Sequence, residues 1–510
     1  MRAVRRMVVE RVGRAPAARM AGRRAVRRRV VRRRVGAGVL AAAALVASAA
    51  CSRPPTTGAA GNTDECPLEA LDRADGPVRI TLWYGGIAGA TEETMRTMAE
   101  RFNASQDAIE VRVSNQGASY QEVYRKYQSA ASSDQGQLPE IVYTEDTYTA
   151  SMVDSGNVLP AQVCMEADGY DLDQIAPVVR SSYSVDGQFV PGYANVSTPV
   201  LYYNKSHWVR AGLDPDRPPR TLDELYEQAR AIRDAGVSDQ PFVLRLSASY
   251  VKNWLNAIGV EMVNEGNGRD GQPTEATFDT PEARELMEFL DRMNREGLLN
   301  LYSATEGGIN HYLALAQQQS SMLIETSTAS LTIAAAVGGD ISPELARQSR
   351  IDSSQVNLEG IIPGTAPFPG IEEPGQVLPG GGSFFILNSS SPAQQAASWR
   401  FLRFMLEPEN AREWTTVGAY LPIVRDVAED PSIERFWRDD VGGILLHTGF
   451  EQLAAAPPDQ PGPLIGPYVD FSEELQRALE AILLDGADIE SSLSSAEHEV
   501  TESLERYAGG

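Results

Sequence analysis

Val78-Arg79-Ile80-Thr81-Leu82-Trp83-Tyr84-Gly85-Gly86 is the stretch that decides the fold class. Apolar residues alternate with others as far as Tyr84, the period of a strand, and Gly85, Gly86 and Gly89 make the turn that follows. Thr91 stands where it can cap a helix. Glu92 and Glu93 fall in its first turn, where acids suit the dipole. Met95, Met98 and Phe102 at i, i+3 and i+7 give that helix one buried stripe. A second strand at 109–113 passes through Asn115-Gln116-Gly117 into a helix carrying Tyr120, Val123, Tyr124 and Tyr127. A third, Ile141-Val142-Tyr143, ends at Thr144-Glu145-Asp146. Strand–helix–strand–helix–strand at this spacing predicts an α/β lobe with a parallel sheet.

Later segments continue the style. Thr221-Leu222-Asp223-Glu224 is a capping box opening a helix that buries Leu225, Ala229 and Ile232 and stops at Gly236. Thr280-Pro281 opens another, with Leu286, Leu290 and Met293 on one face. Helices are also expected over 393–406, after Pro392, and over 471–484, before Gly486. The apolar run Thr198-Pro-Val-Leu-Tyr-Tyr-Asn-Lys205 reads as a strand between the early lobe and this helical half.

The 510 residues carry a formal charge of −24, unevenly spread. Residues 1–50 hold 14 Arg and one acid, Glu10, so they contribute +13, and the remaining 460 residues carry −37. A hydrophobic content of 42% and a charged content of 22% are those of a globular protein, not a disordered one. A body of this length exceeds one core, so at least two domains are expected. Its acidity opposes nucleic acid and anionic lipid. Four scattered His and three Cys exclude a zinc cluster or a disulfide-dense scaffold.

Residues 35–50 are uncharged and apolar, 16 in number, too short for a span of roughly 20 and suited to a signal h-region behind a basic n-region. They end Ser48-Ala49-Ala50-Cys51, which resembles a lipoprotein signal with Cys51 as the lipidated residue, although Ser48 replaces the usual aliphatic. A basic arm for nucleic acid is the alternative, and the apolar run directly behind it argues against that. Residues 52–64, rich in Pro, Thr, Gly and Ala, read as a tether. Cys66 and Cys164 remain, and an exported chain with two cysteines is expected to pair them; two unpaired buried thiols are the alternative.

Trp83 and Tyr84, Asn115 and Glu145 fall at carboxyl ends of early strands, where open α/β sheets bind ligands. A ring to stack on, an amide and a carboxylate suit a sugar or polyol. Each residue alone is as easily core or cap. No Gly-x-Ser-x-Gly elbow, phosphate-binding Walker loop or His-Glu-x-x-His is present. His207, His311, His447 and His498 are solitary. Leu378-Pro379-Gly380-Gly381-Gly382-Ser383 is a loop whose amides can face a ligand or simply turn the chain. No catalytic residue, metal site or cofactor is expected.

Trp83-Tyr84, Asn195-Val-Ser-Thr-Pro-Val-Leu-Tyr-Tyr-Asn-Lys205, Ala211-Gly-Leu-Asp-Pro215, Pro218-Pro-Arg-Thr221, Gly381-Gly382-Ser383, Glu413-Trp414 and Gly418-Ala-Tyr-Leu-Pro-Ile423 resemble the extracellular solute-binding proteins of ABC importers. The resemblance spans about residues 77–508 and is nearest the sn-glycerol-3-phosphate-binding branch, related to maltose-binding proteins. It implies a two-lobed, type II periplasmic-binding-protein-like α/β fold that closes on its ligand. On that template residues 1–50 are a signal peptide and 51–76 anchor and tether. Lobe one is 77–198 plus 328–383, and lobe two 199–327 plus 384–508. The family's ligand positions fall here on Tyr120, Glu145, Ser197, Ser327, Gly381 and Tyr420, with Trp83 and Trp254 as possible walls. Tyr468 stands where the glycerol-phosphate binders place an arginine on the phosphate; either Arg245 or Arg425 substitutes for it, or the tyrosine offers a stacking face suited to a neutral sugar or a bulkier glycerophosphodiester. The expected protein is a lipid-anchored importer subunit, partnered by a permease and by a sugar or glycerol-phosphate-type solute. An exported glycoside hydrolase or a non-transporting sensor are the alternatives.

Overall fold

The expected strands and helices form, with shifted ends, in a computed structural model that describes residues 65–133, 136–303, 310–338, 360–371 and 373–509. The leader, the tether to residue 64 and Cys51 lie outside the described residues. Strands β1 (Val78–Gly85), β2 (Ile109–Gly117) and β3 (Ile141–Glu145) run parallel in the order β2-β1-β3. The helix after β1 spans Gly89–Ser105, starting three residues earlier than a cap at Thr91 implied, and buries Met95, Met98 and Phe102. Tyr120–Ala131, capped by Ser119, follows β2 and buries Val123, Tyr124 and Tyr127.

The first sheet is not wholly parallel. It takes in β4 (Val158–Leu159), β7 (Tyr193–Ser197) and β13 (Gly380–Leu387), and β13 lies antiparallel to β3, β4 and β7. A small hairpin of β5 (Ser184–Val185) and β6 (Gln188–Phe189) stands apart. The second sheet holds β8 (Pro199–Asn204), β9 (Phe242–Arg245), β10 (Leu299–Tyr302), β11 (Met322–Thr326) and β12 (Pro363–Pro367), in the order β10-β9-β11-β8-β12.

Sheet membership departs from the expected partition of the chain. β12 pairs with β8, and Ile333 of the helix Ala329–Gly338 packs with Val200, Tyr202 and Leu323, so both segments belong with the second sheet, not lobe one. Conversely, helix Pro392–Met405 buries Trp399, Phe401, Leu402 and Met405 against the first sheet, not lobe two. In each case the apolar face of the segment decides its sheet, because that is where its surface leaves water. Helices Tyr468–Asp485 and Ile489–Gly509 pack on each other and on Pro281–Arg295.

The chain passes between the sheets at Thr198, with β7 on one side and β8 on the other. Ser327 binds this crossing twice: its N–H donates to Thr198 O at 2.8 Å, and its Oγ accepts from Thr198 N at 3.3 Å. The Gln452 amide donates to Pro199 O at 3.1 Å. Cys66 and Cys164 are joined by a disulfide closing a separation of 98 residues, with Cys164 buried in the first sheet's core.

Candidate functional site

A cavity of about 260 Å³ opens beside the Thr198 crossing, lined from both sheets' sides. Glu145 and Asp146 reach it because β3 ends there, and Ser197, Thr198 and Pro199 because the crossing runs along it. Tyr120, first residue of its helix, and Tyr420 supply aromatic walls. Their hydroxyls converge through Tyr143, with Tyr120 to Tyr143 at 3.2 Å and Tyr143 to Tyr420 at 3.5 Å. The Asn195 amide donates to Tyr143 at 3.2 Å. Burial pushes all three phenols up from their ordinary range, so they stay protonated as donors.

Gly381 is where backbone must approach the cavity. Its φ is +142°, and an added Cβ would stand 2.0 Å from the Asn195 carbonyl. The freed space lets Gly381 N–H donate to the Asp146 carboxylate at 3.1 Å. Burial raises the Asp146 pKa to about 6, against the opposing pull of Lys252 and that N–H.

The opposite wall comes from helix Ala248–Ala257, capped by Ser247, which presents Ser249, Tyr250, Lys252 and Asn253. Lys252 is 8% exposed, and its Nζ donates to the Tyr468 hydroxyl at 3.1 Å while lying 5.1 Å from that ring's centre. Burial acts to lower its pKa, but the Tyr468 oxygen, Asp146 and Glu145 outweigh burial and the net shift is upward. The ammonium form is therefore the one present at neutral pH.

Tyr120, Glu145, Ser197, Gly381 and Tyr420 are thus brought together around one cavity. Four expected residues are not among its lining. Trp83 lies two residues short of the end of β1, in register with Ser114 and Val142 inside the sheet. Trp254 is 1% exposed, stacked on Phe368 with its indole N–H on Pro369 O at 2.8 Å. Two residues along a helix rotate the side chain by about 200°, so Lys252 faces the cavity and Trp254 the core. Ser327 spends its polar atoms on Thr198, as given above, while its neighbours Thr326 and Thr328 line the cavity. Tyr468 touches the cavity's lysine and does not line the space itself.

Neither arginine proposed as a substitute reaches the site. Arg245 pairs with Glu325 at 3.3 Å, and Arg425, half exposed, pairs with Asp171 at 3.9 Å. Lys252 and Asp146 escaped sequence reasoning. The signal for Asp146 was its place beside Glu145 at a strand end. For Lys252 it was a single cation inside the otherwise uncharged helix Ala-Ser-Tyr-Val-Lys-Asn-Trp-Leu.

Two sheeted layers joined by crossing segments, with a polar cavity at the crossing, define a two-lobed solute-binding architecture of mixed α/β class. Residues 97–440 match the family model described as bacterial extracellular solute-binding protein, and the chain belongs to that family. Among curated relatives, the sn-glycerol-3-phosphate-binding periplasmic protein UgpB of Escherichia coli strain K12 is 24% identical over 406 residues, 77% of this chain and 84% of the relative. The cyclic alpha-maltosyl-1,6-maltose binding protein from Arthrobacter globiformis superposes with a TM-score of 0.65 at 23% identity, covering 84% of this chain and 100% of that one. UgpB from Mycobacterium tuberculosis, solved with glycerophosphocholine, superposes at 0.65 and 19% identity, covering 85% and 100%. Among the described residues no helix is long and apolar enough to cross a membrane.

Proposed function

We propose that this chain is the solute-capturing subunit of an ABC importer. It holds a small sugar, polyol or glycerol-phosphate-type solute in the cavity beside Thr198 and delivers it to a permease. Cys51 carries the lipid that keeps the body at the outer face of the cytoplasmic membrane. The observation that carries this reading is the convergence of Tyr120, Glu145, Ser197, Gly381 and Tyr420 on one cavity where the chain crosses between sheets. Its volume, about 260 Å³, is below the roughly 300–1,000 Å³ of pockets for drug-sized ligands, which favours a glycerol- or monosaccharide-sized solute over a long oligosaccharide. Solute bound there would favour the closed arrangement, because only that arrangement contacts it from both sides.

Hydrolysis is disfavoured by the carboxylates. Glu145 and Asp146, the two acids among the described lining residues, are consecutive at one strand end and do not flank a bond from opposite sides, as acid and base or nucleophile must. The test is a thermal-shift screen with sn-glycerol 3-phosphate, glycerophosphocholine, maltose and trehalose in phosphate-free buffer. One of these should raise the melting temperature, and Glu145→Ala and Tyr420→Ala should each abolish that rise while leaving the protein folded. Full retention of the rise in both variants would place the site elsewhere.

A further inference from the structure

Lys252 is an expensive residue for this fold to keep. A buried ammonium costs several kcal/mol in lost hydration unless its donors are used. It has three N–H donors, and among the described residues it makes one hydrogen bond, to Tyr468. Lys252 is 8% exposed and lines the cavity, so the open space within reach of its other donors is that cavity. Ser249 lies three residues earlier on the same helix face and also lines the cavity. Among the other lining groups, Glu145 and Asp146 supply carboxylates suited to hydroxyl groups, and Tyr120 and Tyr420 supply phenol hydroxyls.

We propose that Lys252 is the anion-recognising group of this cavity, so that the captured solute carries an oxyanion, a phosphate ester or a carboxylate, on a hydroxylated frame. The proposal rests on the reading of the cavity as the solute site and goes further by fixing the solute's charge. It assigns to a helix lysine the part that Tyr468, Arg245 and Arg425 cannot take. Tyr468 steadies the ammonium through its hydroxyl and ring face. Glu145 and Asp146 stand near the same ammonium, and the Tyr120, Tyr420 and Ser249 hydroxyls on the lining add donors for an oxyanion that those carboxylates lack.

Isothermal titration in phosphate-free buffer tests it with three oxyanion-bearing probes, sn-glycerol 3-phosphate, the zwitterionic glycerophosphocholine and glycerate, and three without an oxyanion, glycerol, maltose and trehalose. Wild-type protein should bind at least one oxyanion-bearing probe more tightly than glycerol, and which one separates the phosphate sources from the carboxylate. Lys252→Met should weaken that probe by about 10- to 100-fold, as for a lost hydrogen bond to a charged group, with Lys252→Arg recovering part of the loss. Should Lys252→Met bind the anion within twofold of wild type, the proposal is wrong. Should the wild type take only the probes without an oxyanion, through Tyr420 and Glu145, the cavity reading stands and the anion assignment falls. Anion binding that survives Tyr420→Ala, Glu145→Ala and Lys252→Met together would overturn both, as would a wild type that binds none of the six. A purely structural lysine would lower the melting temperature in Lys252→Met without changing the preference among probes.

Discussion

Asp146 shows how a single carboxyl is tuned by its surroundings. Its Oδ1 accepts the Gly381 N–H at 3.1 Å, a bond that only a glycine at φ +142° permits so close to Asn195. Burial dominates and lifts its pKa from the ordinary 3.8 to about 6. A carboxyl raised by folding adds stability below its unfolded pKa, and that contribution is lost as the pH climbs through about 6. Asp146→Asn, which keeps the acceptor and removes the charge, should therefore stabilise the solute-free protein by up to about 3 kcal/mol at pH 7.5. The gain should vanish near pH 4, and urea unfolding at the two pH values would read it. A variant less stable than wild type at pH 7.5 would show that the charge is wanted there. The chain wrote part of this site openly: Glu145 at a strand end, Tyr420 in a recognisable string. Lys252 was hidden because a lone lysine in a helix ordinarily belongs to its wetted face.

Strand β11 carries the opposite case. Glu325 is 3% exposed, yet it is ionised, because three groups from neighbouring segments and one from its own strand meet it. Arg245 of β9 lies at 3.3 Å, His311 at 2.8 Å, and the Tyr250 hydroxyl and Thr326 N–H donate at 3.1 and 2.8 Å. Burial alone would raise its pKa, but Arg245, His311 and the Thr326 N–H bring it down to about 2. The stability it contributes is present above an ordinary glutamate's pKa and is lost as the pH falls through about 2. Glu325→Gln should cost roughly 3–5 kcal/mol at pH 7, the cost of leaving a buried cation without its partner. Chemical denaturation measures this, and a loss under about 1 kcal/mol would mean that water reaches Arg245. Tyr250 links this cluster to the cavity proposed for the solute, so on that reading the same variant should also weaken solute binding. Local pattern predicted helices such as Leu222–Asp234 and Pro281–Arg295 because caps and stripes are local. It did not predict β13, which enters the first sheet from more than 200 residues away between β3 and β7, since strand pairing is a long-range choice.

At the scale of the molecule, the two layers are held by more than the Thr198 crossing. Arg269, from the turn where Glu265, Gly266 and Asn267 adopt left-handed backbone, extends across to the other layer. Its guanidinium donates to the carbonyls of Ser182 and Ser184 at 3.1 and 2.9 Å, and to those of Pro461 and Gly462 at 3.2 and 2.8 Å. The serines follow helix Pro177–Ser182, whose last carbonyls attract a cation. Burial brings its pKa down to about 10, still leaving it charged in neutral solution. Arg269→Ala should cost about 2–4 kcal/mol, and it should loosen one layer against the other. Small-angle scattering of the solute-free protein would show this as a larger radius of gyration, and unchanged scattering with unchanged stability would reduce the arginine to a surface ornament. The two-layer plan itself was legible, since β1 to β3 and the Ser197–Asn204 string announced it. The partition was not, because helices 329–338 and 392–405 choose their layer by which apolar face they meet, a fact of three dimensions.

The disulfide has a consequence for a protein held by its N-terminus. With Cys66 bonded to Cys164, a lipid on Cys51 would connect to the body through 15 residues, a reach of about 50 Å at full extension. Without the bond, attachment at this end would rest on Leu68, Leu71 and Ala74, which pack against the first sheet's core and can be pulled away where a covalent link cannot. With a lipid on Cys51, that covalent link would set the length of the leash and the height above a bilayer that the body could reach.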